Sequence, residues 1–200
     1  MSFFDDLPEP PAQPREPQPA QPGWFGPPSD ELPGIARVGG FVHKSPQMVV
    51  VLKLVEVYST GCLLDLVWSV QRGSESDQQW REVVEESYNH PRSSLDTRTG
   101  LEVGVAYADG RSAVAAIHRP SAFNDAHVTG PVLTTLGGGG GSNNSEFVQF
   151  SGRYWLWPLP MEDTTLVVRW QALGIPESTL SLSWEQLAEA LAGVRKYWDE

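Results

Sequence analysis

"MVVVLKLVEVYSTGCLLDLVWSVQ", residues 48–71, decides the fold of this 200-residue chain. Its second half places apolar side chains at every second residue, the pattern of a strand with one buried face. The residues on that face are Cys62, Leu64, Leu66, Trp68 and Val70, opposite Asp65 and Ser69. The Ser59-Thr60-Gly61 segment favours a hairpin between residues 48–58 and this strand. The stretch therefore predicts two antiparallel strands.

Short β-rich segments separated by turn residues continue through most of the chain. A second hairpin is predicted from residues 101–107 and 112–117, which flank the turn-forming pair Asp109-Gly110. Five further β-rich runs follow, at residues 132–136, 147–150, 154–157, 165–170 and 179–183. Successive short strands without intervening helices favour an antiparallel fold over an α/β fold.

Two segments have helical spacing instead. In "SDQQWREVVEESY", residues 76–88, apolar side chains share one helical face and Ser76 is placed to cap the start. Near the C-terminus an apolar stripe runs from Trp184 to Trp198, after a possible capping box of Ser183 and Gln186. The predicted fold is mainly β: an antiparallel β-sandwich, immunoglobulin-like or jelly-roll-like, with one short inserted helix and a C-terminal covering helix.

The first 34 residues have a different composition. They contain ten of the 17 prolines and six acids against one base, Arg15. Such a segment buries too little apolar surface to offset the entropy lost on ordering. We therefore expect residues 1–34 to be a disordered, proline-rich acidic arm and residues 35–200 to be a single β-sandwich domain.

Two aromatic and acidic segments interrupt this arm. Exposed aromatics beside acids are typical of short docking segments that fold onto a protein partner. The predicted docking residues are Phe3, Phe4, Asp5 and Asp6 in the first segment and Trp24 and Phe25 in the second. For the second segment, the alternative is that Trp24 and Phe25 pack on the protein's own domain.

Composition excludes several function classes. The net charge is −11, and binding to nucleic acid needs clustered Lys and Arg instead. The single cysteine, Cys62, excludes an internal disulfide. Neither a signal peptide nor a membrane-spanning run is recognisable, so we expect a cytoplasmic protein that binds neither membranes nor nucleic acid.

The glycine run in "LGGGGGSNNSEF", residues 136–147, could cradle a phosphate or simply connect two strands. A phosphate cradle would be followed by a lysine or a helix N-terminus, and a β-rich run follows here. We therefore expect the run from Gly137 to Gly141 to be a flexible connection between strands.

Candidate chemistry elsewhere in the sequence is incomplete. His118, Asp125 and His127 form the densest group of possible metal ligands, but their spacing matches no standard metal site. Cys62 alternates with buried apolar residues, as a structural thiol does, and no nucleophile motif is present. The sequence predicts no catalytic residue, no metal and no cofactor.

The aromatic stretch "RYWLWPLP", residues 153–160, is the strongest remaining feature. In an extended chain Trp155 and Trp157 share one face, and Tyr154 lies on the other. We expect core packing of a strand buried on both sides. The alternative is a ligand wall of Tyr154, Trp155 and Trp157 that stacks on a sugar or a proline-rich peptide.

A series of motifs spanning nearly the whole chain carries a family resemblance. They are "SFFDDLP", "WFGPPSDELPG", "VYSTG", "LEVGVAYADGR", "GPVLTTLGGGGG", "YWLWPLP" and "GIPES". Together they resemble a family of uncharacterised actinobacterial proteins. The resemblance implies that the arm and the glycine run are native features. It implies no catalytic residue and no mechanism.

Two functions are compatible with this reasoning. The first is a non-catalytic protein-interaction module that uses the acidic aromatic arm to dock on a protein partner. The second is a small-ligand binder or enzyme, for a carbohydrate or a peptide, with a site under the run from Gly137 to Gly141. Because every catalytic constellation is incomplete, the sequence favours the interaction module.

Overall fold

The structure, a computed structural model, describes residues 21–88, 100–117, 128–143 and 146–198. The strands and α-helices in these ranges are, in chain order, β1 (Glu31–Leu32), β2 (Gly34–Ala36), β3 (Gly40–Lys44), β4 (Met48–Val57), β5 (Cys62–Gln71), α1 (Asp77–Tyr88), β6 (Glu102–Tyr107), β7 (Ser112–Val114), β8 (Val132–Asn143), β9 (Phe147–Trp157), β10 (Thr164–Trp170), β11 (Ile175–Leu182), α2 (Trp184–Leu191) and β12 (Arg195–Lys196). A 3-10 helix, Gln171–Leu173, connects β10 to β11. Neither α1 nor α2 has the length and apolar character needed to span a bilayer.

Two antiparallel sheets form the body of the protein. The larger has the strand order β2-β4-β5-β9-β8, with β3 pairing on the same edge of β4 as β2. The smaller has the order β11-β10-β6-β7, and β1 pairs separately with β12. Buried residues of both sheets form one hydrophobic cluster. The predicted mainly β, sandwich-like fold with a C-terminal helix is confirmed.

The hairpin predicted from residues 48–71 is present in the expected register. Val57 faces Cys62, and the Tyr58 N–H donates to Gly61 O at 2.9 Å across the turn. The alternating apolar face of β5 is buried in the core between the sheets. Because strand side chains have a period of two, this buried face determines the register of the whole hairpin.

Cys62 lies on that buried face. Burial raises the pKa of its thiol to about 12, since the thiolate would lose its hydration. We expect a thiol reagent such as 5,5′-dithiobis(2-nitrobenzoate) to leave Cys62 unmodified in the native protein at pH 8 and to react fully in denaturant. Rapid labelling of the native protein would contradict this placement.

The glycine run is part of a strand, which corrects the expectation of a flexible connection. Strand β8 extends to Asn143, and Gly138, Gly139 and Gly140 pair with Gly152, Ser151 and Phe150 of β9. A Cβ atom at Gly138 would lie 2.6 Å from Ser151 O, so glycine permits the close approach of the two strands here. Consecutive glycines impose little conformational preference of their own, which led to that expectation, but pairing with β9 determines the local structure.

The prediction from the sequence is correct for the start of α1 but too long for α2. Ser76 caps α1 as predicted: Gln79 N donates to Ser76 Oγ at 3.3 Å, and Ser76 N donates to Gln79 Oε1 at 2.9 Å. Helix α2 ends at Leu191, so the stripe expected to reach Trp198 is too long. Ser183 occupies the N-cap position of α2 as predicted, but its side chain makes no capping hydrogen bond, and Trp184 N donates to Asp163 Oδ1 at 2.8 Å instead.

Part of the predicted arm belongs to the folded domain, which corrects the boundary expected after residue 34. Residues 1–20 lie outside the described residues. Residues 23–26 lie against the outer face of the larger sheet, where Trp24 O accepts from Thr134 Oγ1 at 2.9 Å and Gly23 O accepts from Trp155 Nε1 at 2.8 Å. The expected boundary falls inside β2. Specific contacts with the sheet therefore compensate for the conformational entropy that this segment loses on ordering. The composition of the segment alone did not predict these contacts.

Glu31 attaches the end of this segment to the domain. Its carboxylate is 2% exposed, accepts from Ser59 N at 2.9 Å and Ser59 Oγ at 2.5 Å, and pairs with Lys196 at 3.0 Å. Burial raises the pKa of this carboxyl, but the bonds from Ser59 and the Lys196 charge outweigh burial and leave the pKa lowered. The folded state therefore favours the ionised form.

A lowered pKa makes this attachment sensitive to acid. The stabilisation is fully present above the ordinary pKa of 4.5 and is lost as pH falls through the lowered value. We expect Glu31→Gln to reduce the free energy of unfolding by about 2 kcal/mol at pH 7, because it removes charge-assisted hydrogen bonds. In urea titrations, the difference in free energy of unfolding between Glu31→Gln and wild type should become smaller below pH 4.5. An equal difference at pH 7 and pH 3 would contradict this assignment.

Candidate peptide-binding groove

The structure places the predicted ligand wall inside the protein. Trp155 is 0% exposed, Tyr154 is buried and Trp157 is half-buried. Trp155 Nε1 donates to Gly23 O at 2.8 Å, so the N-terminal segment covers this ring. The expected core packing is therefore correct for Tyr154 and Trp155, and these two buried rings do not form a ligand wall.

The predicted docking residues separate into two groups. Phe3, Phe4, Asp5 and Asp6 lie outside the described residues, and their role stays a prediction. Trp24 is 5% exposed and Phe25 is half-buried, with the two rings edge to face at 6.0 Å. Trp24 packs on the protein's own domain, which corrects the docking assignment for this residue.

The candidate metal ligands His118, Asp125 and His127 also lie outside the described residues. Within the described ranges, no three His, Cys, Asp or Glu side chains come together as metal ligands would.

A groove with a volume of about 420 Å³ lies between strand β2 and helix α2. One wall is the edge strand, from Gly34 through Ile35 and Ala36 to Arg37. The other wall is one face of the helix and the residues after it. That face consists of Gln186, Glu189, Ala190 and Gly193, spaced three, four and seven residues from its first member.

Close packing at one end holds the helix beside the strand. A Cβ atom at Gly34 would overlap the carbonyl oxygen of Ala190, so only glycine allows this approach. Leu187 on α2 is fully buried in the main core, which fixes the rotation of the helix. The groove therefore has rigid walls.

The groove combines apolar and charged side chains. Ile35 is 52% exposed, and Ala36 and Ala190 are small and buried. Arg37 and Glu189, both exposed, place opposite charges on the two walls. Such a surface can contact apolar and polar groups of the same ligand.

Sequence reasoning missed this groove. Gly34 and Gly193 near the ends of β2 and α2 were a possible signal, because glycine often marks close approach of two elements. The pattern of a single helix does not indicate which strand it will lie against.

Comparisons of the chain with protein-family models, curated proteins and solved structures found no match.

Proposed function

We propose that this protein is a non-catalytic protein-interaction module, and that the groove between β2 and α2 binds an extended segment of a partner protein. The observation that carries the proposal is the position of an edge strand along an open groove walled by a helix. In this arrangement the bound segment adds one strand to the larger sheet.

Backbone geometry supports strand addition. In an antiparallel sheet, half of the N–H and C=O groups of an edge strand point away from its neighbour. Strand β2 pairs with β4 through Gly34, Ile35 and Ala36, and no other described strand pairs with its outer edge. These backbone groups can hydrogen-bond to an extended peptide, which is an established mode of peptide recognition.

The side chains around the groove indicate the chemistry of the partner. The half-exposed Ile35 can contact an apolar side chain of the partner, since burying it on both sides is favourable. Arg37 and Glu189 can pair with charges of either sign on the partner. The partner is thus an unfolded or loop segment of mixed apolar and polar character, rather than a highly charged polymer.

Selection from a phage-displayed library of random dodecamer peptides tests this proposal. Peptides enriched on the full-length protein are then synthesised, and their affinities are measured by calorimetry. We expect the bound peptides to slow hydrogen exchange of the backbone amides of residues 34–37, because these amides acquire partners. We expect Ile35→Lys to weaken binding about tenfold, since it replaces the apolar contact with a charge.

Val114→Lys is the matched control. Val114 is 59% exposed on β7, the edge strand of the smaller sheet, so the change is chemically similar and lies elsewhere. Binding by Val114→Lys should equal that of wild type. Enrichment of no peptide, or equal affinities for the Ile35→Lys and Val114→Lys variants, would rule out the groove as the binding site.

The proposal includes two further parts. Phe3, Phe4, Asp5 and Asp6 provide a second docking element at the N-terminus, and replacing both phenylalanines by alanine tests it in the same assay with a captured partner. The location is cytoplasmic, in keeping with a single, deeply buried thiol.

A further inference from the structure

A second cavity, of about 430 Å³, opens at one end of the sandwich. Its floor is apolar and comes from residues that are almost fully buried: Met48, Val70, Trp80 and Ile175. Its rim is polar, with His43, Gln47 and Glu75 among the lining residues. This volume and this combination of an apolar floor with a few polar groups are typical of small-molecule sites.

Hydrogen bonds hold the rim on two sides. Gln47 Nε2 donates to Glu75 Oε1 at 3.1 Å, which connects the turn before β4 to the segment before α1. The Arg72 guanidinium donates to Glu75 O at 2.8 Å and to Asp77 Oδ1 at 2.7 Å, which fixes that segment. The rim is therefore organised before any ligand arrives, which lowers the entropic cost of binding.

The bonds of His43 leave a hydrogen-bond acceptor on its ring. His43 Nδ1 lies 2.9 Å from Ser178 Oγ, which in turn lies 3.2 Å from Pro176 O. We assign the tautomer that satisfies both contacts: the Ser178 hydroxyl donates to Pro176 O, and His43 Nδ1–H donates to Ser178 Oγ. In this tautomer Nε2 is an acceptor.

The same geometry argues against a Ser–His nucleophile. A general base must accept the proton of the attacking hydroxyl, and in the assigned tautomer His43 Nδ1 already carries a proton. We therefore interpret His43 and Ser178 as a binding element rather than a catalytic pair.

The rim offers a carboxylate that can accept further hydrogen bonds. The Glu75 carboxylate accepts from Gln47 and from Gly73 N, and a carboxylate with four lone-pair positions can accept further bonds. With the acceptor of His43, the rim suits a ligand that donates hydrogen bonds and carries positive charge. The floor suits an apolar or aromatic body.

We propose that this cavity binds a small amphipathic amine, with its apolar body on Trp80 and Ile175 and its ammonium group at Glu75 and His43. This site is separate from the β2–α2 groove, because the two share no lining residue. Failure of one proposal therefore leaves the other intact.

Binding of 2-phenylethylamine tests the inference, with 3-phenylpropionate as a ligand of similar size and opposite charge. Affinities are measured by NMR titration of the ¹⁵N-labelled full-length protein at low ionic strength, where charge contributions are least screened. We expect the amine to bind at least tenfold more tightly than the carboxylate. We also expect it to shift the indole N–H resonance of Trp80, assigned with a Trp80→Phe variant.

Three variants complete the experiment. Glu75→Gln should weaken amine binding about fivefold or more, and Val83→Trp, which fills the cavity from α1, should abolish it. Glu85→Gln, an exposed carboxylate on the same helix, is the control and should bind like wild type. Should Val83→Trp fail to fold, the Glu75→Gln and Glu85→Gln pair decides the question. Equal affinities for the amine and the carboxylate, equal effects of these two Gln variants, or no measurable binding would overturn the proposal.

Discussion

Gly34→Ala is expected to lower the free energy of unfolding by about 3 kcal/mol, measured by urea titration at pH 7. The added methyl group would overlap the backbone oxygen of Ala190, so no side-chain rotation can relieve the clash. Helix α2 must then move away from β2. Because Leu187 of this helix is buried in the main core, that movement also disturbs packing between the sheets.

Gly139→Ala is the matched control. Gly139 also lies in an edge strand, but no atom lies within 4 Å of its Cβ position. We expect a change of about 1 kcal/mol or less, with stabilisation possible through the unfolded state. Equal losses in the two variants would indicate that glycine in an edge strand matters in general, and would contradict a specific contact between Gly34 and Ala190.

These two glycines illustrate what sequence could and could not predict here. The alternating pattern of β5 determined a buried face, and the face was predicted correctly because it depends only on local periodicity. The role of Gly34 depends on helix α2, which is distant in the sequence. The glycine run was expected to be a flexible connection, because the pattern of a segment alone does not reveal that it will pair with β9 as a strand.

The N-terminal segment was predicted to be disordered, but its described part packs on the larger sheet. Its proline content and charge predicted disorder, and that reasoning considers only the segment's own sequence. The structure adds partners from the sheet: Trp155 and Thr134 bind its backbone, and Ser59 binds Glu31. The alternative considered for Trp24 and Phe25 anticipated this packing, because an aromatic pair provides a large area to bury.

The candidate groove and the cavity could not be predicted from the sequence for a related reason. Ile35 and Glu189 are 154 residues apart, and nothing in either local pattern indicates that they line one groove. The cavity likewise combines His43, Glu75 and Ile175 from three parts of the chain. A sequence motif indicates a site only when its residues lie at a fixed spacing along the chain. The residues of both sites here come together only through tertiary packing.

Trp155→Ala is expected to cost about 3–5 kcal/mol of stability, the range for removing a fully buried aromatic side chain. Three interactions are lost together. The ring packs against Leu63 and meets Tyr58 edge to face at 5.6 Å, and its N–H holds Gly23 O. We therefore expect a second effect: faster hydrogen exchange of the amides of residues 24–26, because their segment loses its attachment to the sheet.

Two further variants separate packing from attachment. Trp155→Phe keeps most of the buried ring but removes the N–H donor, so it should cost about 1–2 kcal/mol while still accelerating exchange at residues 24–26. Trp198→Ala removes an indole that is 83% exposed and should change neither quantity. If Trp155→Ala destabilised the fold yet left exchange at residues 24–26 unchanged, the N-terminal segment would be held by other contacts. Since Thr134 binds the Trp24 carbonyl, Thr134→Val would then be the next variant to measure.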